Sequence, residues 1–387
     1  MEQAIVNGLS GLVAGFPELV VNWRNLIMLF VGFVLLWLGI KKDCEPLLLV
    51  PIAFGCILVN LPFSEVMSEV AKEEGFLRVI FNAGIATELF PLLIFIGIGA
   101  MTDFGPVLAQ PSTFLLGAAG QFGIFLTLLL ALFLGFPQLQ AMSIGIIGAC
   151  DGPTAIYVTS KYAPELLGAV SVAAYSYMSL VPIIQPPIMR FMTTQKERST
   201  AMKATARPVS KMTKLLFPLV ITIVAGTIAP KGLPLLGTIM LGNLLKESGV
   251  VSRLTKASEN EIANVTTLFL GLCIGATMVG SAFVRVETLI ILCLGFVAIC
   301  LDTVCGVTFG KIMYLLTGGK FNPLIGAAGI SAFPMAARVV QKEGAKWNKK
   351  SYLLMHAMGA NAGGQIGSVI AAAVMLSVLA GMGIMPH

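Results

Sequence analysis

Long apolar segments that contain almost no charged residues recur along this sequence and constrain the fold more than any other feature. Of the 387 residues, 57% are hydrophobic and only 11% are charged, whereas soluble domains carry about 25% charged residues. A helix that crosses a bilayer needs roughly 20 apolar residues. The sequence therefore predicts an all-α, polytopic membrane protein with about 11 transmembrane segments. The plausible spans are 26–40, 46–60, 84–101, 112–135, 139–150, 165–189, 212–229, 232–245, 262–280, 287–316 (as one span or two), 322–340 and 351–383.

The polar stretches predict the topology of a single membrane domain, 1–387. Residues 1–25 lack a basic start before an apolar core, so we expect an interfacial segment and no cleavable signal. The loop 190–214 carries seven basic residues and one acid, which places it in the cytoplasm. These charges either set the topology alone or also form a docking surface for an acidic soluble partner. Because this loop supplies most of the net charge of +6, the charge does not indicate a nucleic-acid partner.

One carboxylate interrupts an otherwise apolar run in the stretch 148–157, which reads Gly-Ala-Cys-Asp-Gly-Pro-Thr-Ala-Ile-Tyr. Proline removes a backbone donor and clashes with the preceding turn, so we expect the helix to break near Pro153. A charge and free backbone groups are tolerated at membrane depth beside a cavity, a partner or an ion. Asp151 therefore indicates a cation or proton site on a broken helix. The alternative is an Asp that its helix bundle satisfies at a kink.

An internal repeat relates two parts of the sequence. An offset of 180 residues aligns 148–188 with 328–368, so that Asp151 falls on Ser331 and Gln185 on Gln365. Matching interruptions in two halves are typical of a transport site at the bilayer midplane. We therefore predict two related halves with broken helices, 84–190 and 262–383. They form an inverted repeat if an odd number of spans separates them.

The polar residues inside the two halves are mainly oxygen donors. Hydroxyls, carboxamides and backbone carbonyls with one carboxylate suit an alkali ion or a proton, since a calcium site normally holds more acids. The sequence has no CxxC pair and only two histidines, so a zinc or haem site is not expected. The polar sets are Asp151, Thr154, Tyr157, Tyr175, Ser176, Tyr177, Ser179 and Gln185 in the first half, and Asn322, Ser331, Arg338, His356, Asn361, Gln365 and Ser368 in the second.

Several of these residues are open to more than one interpretation. Asn322-Pro323 is expected to open a helix, and Gly326 to permit close backbone contact. Arg338 is a partner for Asp151, an anchor for an anionic substrate, or an arginine that extends to the interface. Tyr177 is an ion ligand or proton donor, or it merely packs and donates a hydrogen bond.

Four long motifs resemble the β subunit of the sodium-pumping, biotin-dependent decarboxylases, a family that includes oxaloacetate, methylmalonyl-CoA, glutaconyl-CoA and malonate enzymes. The resemblance extends over essentially the whole chain. One departure is Ala327, where many members have Asn. The motifs are 148–157, 173–190 (Ala-Ala-Tyr-Ser-Tyr-Met-Ser-Leu-Val-Pro-Ile-Ile-Gln-Pro-Pro-Ile-Met-Arg), 322–338 (Asn-Pro-Leu-Ile-Gly-Ala-Ala-Gly-Ile-Ser-Ala-Phe-Pro-Met-Ala-Ala-Arg) and 353–361 (Leu-Leu-Met-His-Ala-Met-Gly-Ala-Asn).

The resemblance implies a specific set of site residues. Asp151 with Asn322 would ligate Na⁺, and Ser331 with Tyr177 would complete a second site and relay a proton. Arg338 would hold the carboxylate of carboxybiotin from the cytoplasmic side. The family's sodium- and proton-handling residues map to Asp151, Tyr177, Asn322, Gly326, Ser331, Arg338 and Asn361, and each has the expected type here.

The resemblance also implies an assembly and a reaction. A carboxyltransferase α subunit would load CO2 onto biotin on a soluble carrier subunit. This chain would then decarboxylate carboxybiotin, consume a proton and export Na⁺ across a prokaryotic cytoplasmic membrane. A small single-span γ or δ subunit and a homotrimeric arrangement are further expectations. The rival function is a free-standing Na⁺-coupled secondary transporter, and a purely structural anchor fits poorly with Asp151.

Overall fold

The computed structural model describes residues 15–42, 45–70, 73–202, 208–381 and 383, and this part of the chain is almost entirely helical. The predicted all-α class is therefore confirmed. Two-residue strands, β1 (Glu69–Val70) and β2 (Glu73–Glu74), form one antiparallel pair. The α-helices are α1 (Gly15–Val21), α2 (Trp23–Lys41), α3 (Pro46–Asn60), α4 (Phe76–Gly84), α5 (Leu89–Met101), α6 (Gly105–Ala109), α7 (Ser112–Gly120), α8 (Phe122–Phe133), α9 (Gln138–Gly145), α10 (Gly152–Tyr162), α11 (Leu167–Met192), α12 (Gln195–Arg198), α13 (Lys211–Ile228), α14 (Leu233–Ser248), α15 (Ser252–Ala257), α16 (Ala263–Thr277), α17 (Gly280–Phe283), α18 (Val286–Leu316), α19 (Met335–Trp347) and α20 (Leu354–Gly381).

Six helical stretches in the described residues are long and apolar enough to cross a membrane, and a seventh arises if α4 and α5, bent by 62°, form one span. The chain is therefore a polytopic membrane protein, and the number of about eleven spans stays a prediction. Residues 286–316 form one continuous helix, which settles the choice between one span and two. The predicted interfacial segment, 1–25, lies largely outside the described residues, and α1 within it buries no side chain.

The predicted span 139–150 is wrong, because this stretch forms half of a helical hairpin. Helix α9 and a 3₁₀ turn, Ile146–Ala149, run inward to Cys150 and Asp151, and α10 runs back. The two ends of the hairpin lie together, since Gln140 Nε2 donates to Glu165 Oε1 at 2.8 Å. We call this segment, 138–162, the first hairpin. Its break lies at Cys150 and Asp151, slightly before the expected position at Pro153. Pro153 occupies the first turn of α10, where the N–H that proline lacks would have no acceptor within the helix.

The predicted span 322–340 is also wrong, for the same reason. Pro323–Gly329 is a 3₁₀ turn, and the chain is then non-helical until α19 begins at Met335. Both ends of this second hairpin, 322–347, contact the segment that follows α11. Asn322 Nδ2 donates to the carbonyl oxygen of Thr200 at 2.9 Å, and the Arg198 guanidinium lies 4.2 Å from the centre of the Trp347 ring.

The second hairpin therefore starts and ends at one face of the molecule, which we call the basic face. Helices α11 and α18 both end there, because Lys311 Nζ donates to the carbonyl oxygen of Met192 at 3.0 Å. The first hairpin starts and ends at the other end of α11, beside its first residue, Leu167. The two hairpins thus enter the helix bundle from opposite faces.

A buried acid of α19, a helix that is not among the candidate spans, fixes α19 to the end of α11 at the basic face. Glu343 has 1% of its side chain exposed and binds Arg190 in a bidentate pair, with N–O distances of 2.7 and 2.8 Å. Lys346 and the Trp347 indole also donate to this carboxylate. The hydrogen bond from Arg190 lowers the pKa of Glu343 from 4.5 to about 2. The pair therefore stabilises the fold above about pH 4.5, and this contribution is lost as the pH falls through about 2.

Replacing Glu343 by glutamine is expected to lower the free energy of unfolding by about 2 kcal/mol at pH 7, because the charge-assisted bonds from Arg190 and Lys346 are lost. The difference should shrink as the pH approaches 2. Thermal unfolding of the detergent-solubilised protein at several pH values measures both effects. Glu261→Gln, at an exposed position in the described chain, is the control. An equal loss for both variants would contradict a special role for Glu343.

Candidate functional site

The two hairpins touch at their tips. The Ser331 amide donates to the carbonyl oxygen of Ala149 at 3.1 Å. Cys150 is left-handed, with φ 52°, and Asp151 is extended, with φ −130°. Backbone groups freed at these breaks need new partners inside a membrane protein, and each tip supplies one for the other. Residues 151 and 331 are also the two positions that the offset of 180 residues aligns, although the repeat itself stays a prediction.

Asp151 lies at this contact with little exposure and no basic partner. Its side chain is 6% exposed, and Oδ2 accepts hydrogen bonds from Thr154 at 2.6 Å and Ser368 at 3.2 Å. No ion pair of Asp151 occurs among the described residues. The hypothesis that Arg338 pairs with Asp151 is therefore wrong for this conformation. A buried carboxylate without a cation from the protein requires a proton or an ion.

A cavity of about 390 Å³ opens beside the two tips. Thr102 in its wall donates to Gln365 at 3.0 Å, and the carbonyl oxygen of Thr102 accepts from Lys246 at 3.2 Å. Phe333 and Pro334 also line the cavity, and α19 leads from Pro334 to Trp347, which contacts Arg198 at the basic face. The cavity thus runs from the hairpin tips toward the basic face. Its polar lining residues are Glu45, Thr102, Asp151, Tyr175, Thr267, Ser331 and Gln365.

Ser331 and Asn361 hold the tip of the second hairpin against α20. Ser331 Oγ donates to the carbonyl oxygen of Gly364 at 2.9 Å, and Asn361 Nδ2 donates to that of Ile330 at 2.6 Å. Asn361 Oδ1 is buried and has no hydrogen-bond partner in the described structure. An orphaned amide oxygen at this position is a suitable ligand for a hard cation. Ser331 thus lies at the tip of the second hairpin and Asn361 binds that tip, which contacts the first hairpin beside Asp151.

Asn322 and Gly326 lie elsewhere on the second hairpin. Asn322 caps the 3₁₀ turn, accepting from the Leu324 amide at 3.0 Å, and its amide binds the loop after α11. It is not part of the cavity lining. Gly326 packs against Gly306 of α18, backbone to backbone. The structure therefore does not bring Asn322 to Asp151, and the expected joint ligation of one ion by this pair is not seen in this conformation.

The tyrosine beside Asp151 is Tyr175, and Tyr177 faces another helix. The Tyr177 hydroxyl donates to the carbonyl oxygen of Leu292 at 2.6 Å, and its ring packs on Phe296. The Tyr175 ring instead lies directly on Gly152 and lines the cavity. Its hydroxyl is buried without a hydrogen-bond partner in the described residues. Both tyrosines belong to the same motif, so the motif alone did not distinguish them.

Replacing Tyr175 by phenylalanine is expected to raise the Na⁺ concentration for half-maximal activity about fivefold, because a hydroxyl next to the Asp151 carboxylate is lost. Tyr177→Phe serves as the matched control and should leave this value within about twofold. Sodium titration of turnover measures both. A larger effect at Tyr177 would show that the Tyr175 hydroxyl does not reach the ion.

Arg338 lies on the exposed side of α19, one turn after Pro334, which lines the cavity. No ion pair or side-chain hydrogen bond of Arg338 is found among the described residues. Of the three interpretations of Arg338, this exposed position leaves the substrate anchor and the arginine that extends to the interface. A free guanidinium near the mouth of the cavity is compatible with the capture of a carboxylate from the basic face.

Thr102 is a cavity residue that no sequence motif identified. Thr102 binds Gln365 in the cavity wall, and no sequence signal marks it, because it lies 49 residues before Asp151, directly after the end of α5. Asp302, which is fully buried in α18, lies against Gly123 and Gly148 and is not part of the cavity lining. The described residues contain no group of three or more His, Cys, Asp or Glu side chains that could hold a metal.

The comparisons with known proteins agree with one another. A profile described as Na+-transporting oxaloacetate decarboxylase beta subunit matches residues 24–379. The chain is 53% identical to the methylmalonyl-CoA decarboxylase subunit beta of Veillonella parvula, over 92% of this chain and 93% of that protein. It is 49% identical to the glutaconyl-CoA decarboxylase subunit beta of Acidaminococcus fermentans, over 98% and 99%. It is 44% identical to the oxaloacetate decarboxylase beta chain of Klebsiella pneumoniae, over 97% and 100%.

These matches extend over nearly the whole chain and include both hairpins. They confirm the family that the four motifs indicated. The chain belongs to the β subunits of the Na⁺-transporting decarboxylases, and it is a decarboxylase subunit of a membrane system coupled to Na⁺ transport.

Proposed function

We propose that this subunit decarboxylates carboxybiotin on a separate carrier and uses the reaction to export Na⁺, consuming a proton. The observation that carries the proposal is the position of Asp151, a buried carboxylate with no basic partner among the described residues, at the contact of two broken hairpins. An ion or a proton is needed there. Family membership supports Na⁺ as the ion.

The proposed Na⁺ site is centred on Asp151 and includes oxygens from both hairpins and α20. Ser331 on the second hairpin and the orphaned oxygen of Asn361 on α20 are further candidates, and Thr154 and Ser368 already contact Asp151. Hydroxyl, amide and carboxylate oxygens are the ligands that hard cations prefer. Tyr175 replaces Tyr177 as the phenol at this site. Asn322 enters the site only if the second hairpin shifts along α18.

Decarboxylation is proposed to occur at the basic-face end of the cavity. Arg338 binds the carboxylate of carboxybiotin through its two parallel N–H groups. The apolar wall formed by Phe333, Pro334 and Met101 excludes water, which favours loss of CO2 from an anion. The biotin ring that is left takes up one proton, and a hydroxyl or carboxyl of the site is the donor within reach. Gly326 acts by allowing the second hairpin to pack closely on α18.

Coupling requires that the ion site face one side before decarboxylation and the other side afterwards. Two hairpins that enter from opposite faces and meet at their tips support an inverted-repeat mechanism, in which one hairpin moves against the other. The hydrogen bond between Ser331 and Ala149 is then broken and remade in each cycle. Because both hairpins supply site oxygens, their separation would also disassemble the Na⁺ site.

The proposed assembly follows the family. The basic face would be cytoplasmic, since short loops rich in Lys and Arg remain inside, and the membrane would be the prokaryotic cytoplasmic membrane. A carboxyltransferase α subunit, the biotin carrier and a small single-span subunit would complete the complex. Homotrimerisation of this chain is part of the same proposal.

Sodium uptake into proteoliposomes that contain the whole complex tests the function. With methylmalonyl-CoA, glutaconyl-CoA, oxaloacetate or malonate supplied in turn, one substrate should drive Na⁺ uptake and CO2 release together. Avidin, which sequesters biotin, should stop both. Sodium transport that persists with avidin and without CO2 release would establish the rival function, a secondary transporter.

A further inference from the structure

The exposed side of α19 carries a row of cations. Arg338, Lys342 and Lys346 are spaced by four residues and are all exposed, so they lie along one side of the helix. Lys349 and Lys350 follow directly after the helix and are also exposed. We call these five residues the cationic row. Its position at the basic face distinguishes it from the buried ion site.

The acids near the cationic row are buried and already engaged. The stretch 317–352 contains six basic residues and one acid, and that acid, Glu343, binds Arg190 and Lys346 below the surface. Glu197 in the neighbouring helix α12 is 9% exposed, accepts from the Thr194 amide at the start of that helix and lies 3.6 Å from Lys311. In the described structure, Lys342, Lys349 and Lys350 have no ion pair. The surface that remains is strongly positive.

The cationic row leads to the cavity. Phe333 and Pro334 line the cavity, and the Arg338 amide donates to the carbonyl oxygen of Pro334 at 3.2 Å. The row therefore begins one helical turn from the cavity wall and extends away from it. Its far end is held in place, because Asn348 Nδ2 donates to the carbonyl oxygen of Ser199 at 2.9 Å and Arg198 stacks on Trp347.

We propose that the cationic row is the docking surface for an acidic surface of the biotin carrier. This inference rests on the proposed function. A carrier that delivers one anionic group per cycle has to associate and leave rapidly, and complementary charge raises association rates without requiring a large apolar interface. The row directs the carrier so that its carboxybiotin reaches Arg338 and the cavity. Anionic lipid is the other partner that a positive surface at a membrane attracts.

The test uses the triple variant Lys342→Glu, Lys349→Glu, Lys350→Glu, which leaves Arg338 and the Glu343 pairs intact. The protein and its membrane partner subunit are placed in nanodiscs of uncharged lipid, and carboxylated carrier is added from solution. At about 50 mM ionic strength, set with choline chloride at constant Na⁺, KM for the carrier should rise about tenfold. At about 300 mM the difference should fall to about twofold, because salt screens exposed charges. The maximal rate should not change.

Free carboxybiotin separates docking from catalysis, since it needs no protein contact. The triple variant should decarboxylate free carboxybiotin like the parent, and Lys256→Glu, an exposed lysine on α15 outside the row, should behave like the parent in both assays. An unchanged KM for the carrier, or an equal loss with free carboxybiotin, would overturn the docking surface. A change seen only in discs of anionic lipid would assign the row to lipid. If the parent itself fails with free carboxybiotin and with carrier, the proposed function fails instead.

Discussion

Replacing Asp151 by asparagine is expected to lower sodium-stimulated decarboxylation at least about 100-fold while the complex still assembles. Asparagine keeps the size of the side chain and can still accept from Thr154 and Ser368, the two hydroxyls that now bind Oδ2. It removes the negative charge that is proposed to balance Na⁺. The loss should therefore appear in ion binding and coupling, and not in folding.

Two measurements separate these effects. Sodium should raise the unfolding temperature of the parent protein, because a ligand selective for the folded state stabilises it, and the Asp151→Asn protein should show no such shift. Asp103→Asn, a partly exposed acid at the basic face whose carboxylate lies 3.7 Å from Lys214, should keep both the shift and the activity. If the Asp151→Asn protein retained sodium-dependent turnover, the carboxylate would not be part of the site.

The sequence predicted the tips of the hairpins better than their arms. Asp151 and Ser331 were identified because each lies in a polar break within an apolar run, and a break is a local property of the chain. Whether the stretches on either side cross the bilayer or turn back depends on which distant ends meet. The hydrogen bond between Gln140 and Glu165, and the contacts of Asn322 with the loop after α11, decide this. No local pattern contains that information.

The two tyrosines show the same limit at the level of one helix. Tyr175 and Tyr177 are two residues apart in α11, so their side chains point in directions that differ by roughly 200°. Only the rotation of α11 against its neighbours determines which one faces the cavity. The sequence has hydroxyls on both sides of this helix, and the family resemblance indicated Tyr177. The structure places Tyr175 at Asp151, and the paired phenylalanine variants discriminate between the two.

Replacing Gly326 by alanine is expected to lower the free energy of unfolding by about 3 kcal/mol and to abolish coupling. The added methyl group would overlap the carbonyl oxygen of Gly306, and a methyl at Gly306 would overlap that of Gly326. Both obstacles are backbone atoms, which cannot rotate away, so the hairpin and α18 have to separate. Since the Ser331 tip is the continuation of this turn, its hydrogen bond to Ala149 should weaken as well.

Gly237→Ala is the matched control, because Gly237 lies inside α14 and a methyl there meets no described atom within 4 Å. That variant should be at least as stable as the parent, since alanine favours a helix over glycine by about 1 kcal/mol. Thermal unfolding in mild detergent compares the two proteins, and sodium uptake by the complex reports the coupling. Gly326 was expected at the ion site from the family resemblance. If the Gly326→Ala protein kept full stability but lost sodium binding, Gly326 would act at the ion site and not through packing. If the protein lost stability while sodium still raised its unfolding temperature, the contribution of Gly326 would be packing.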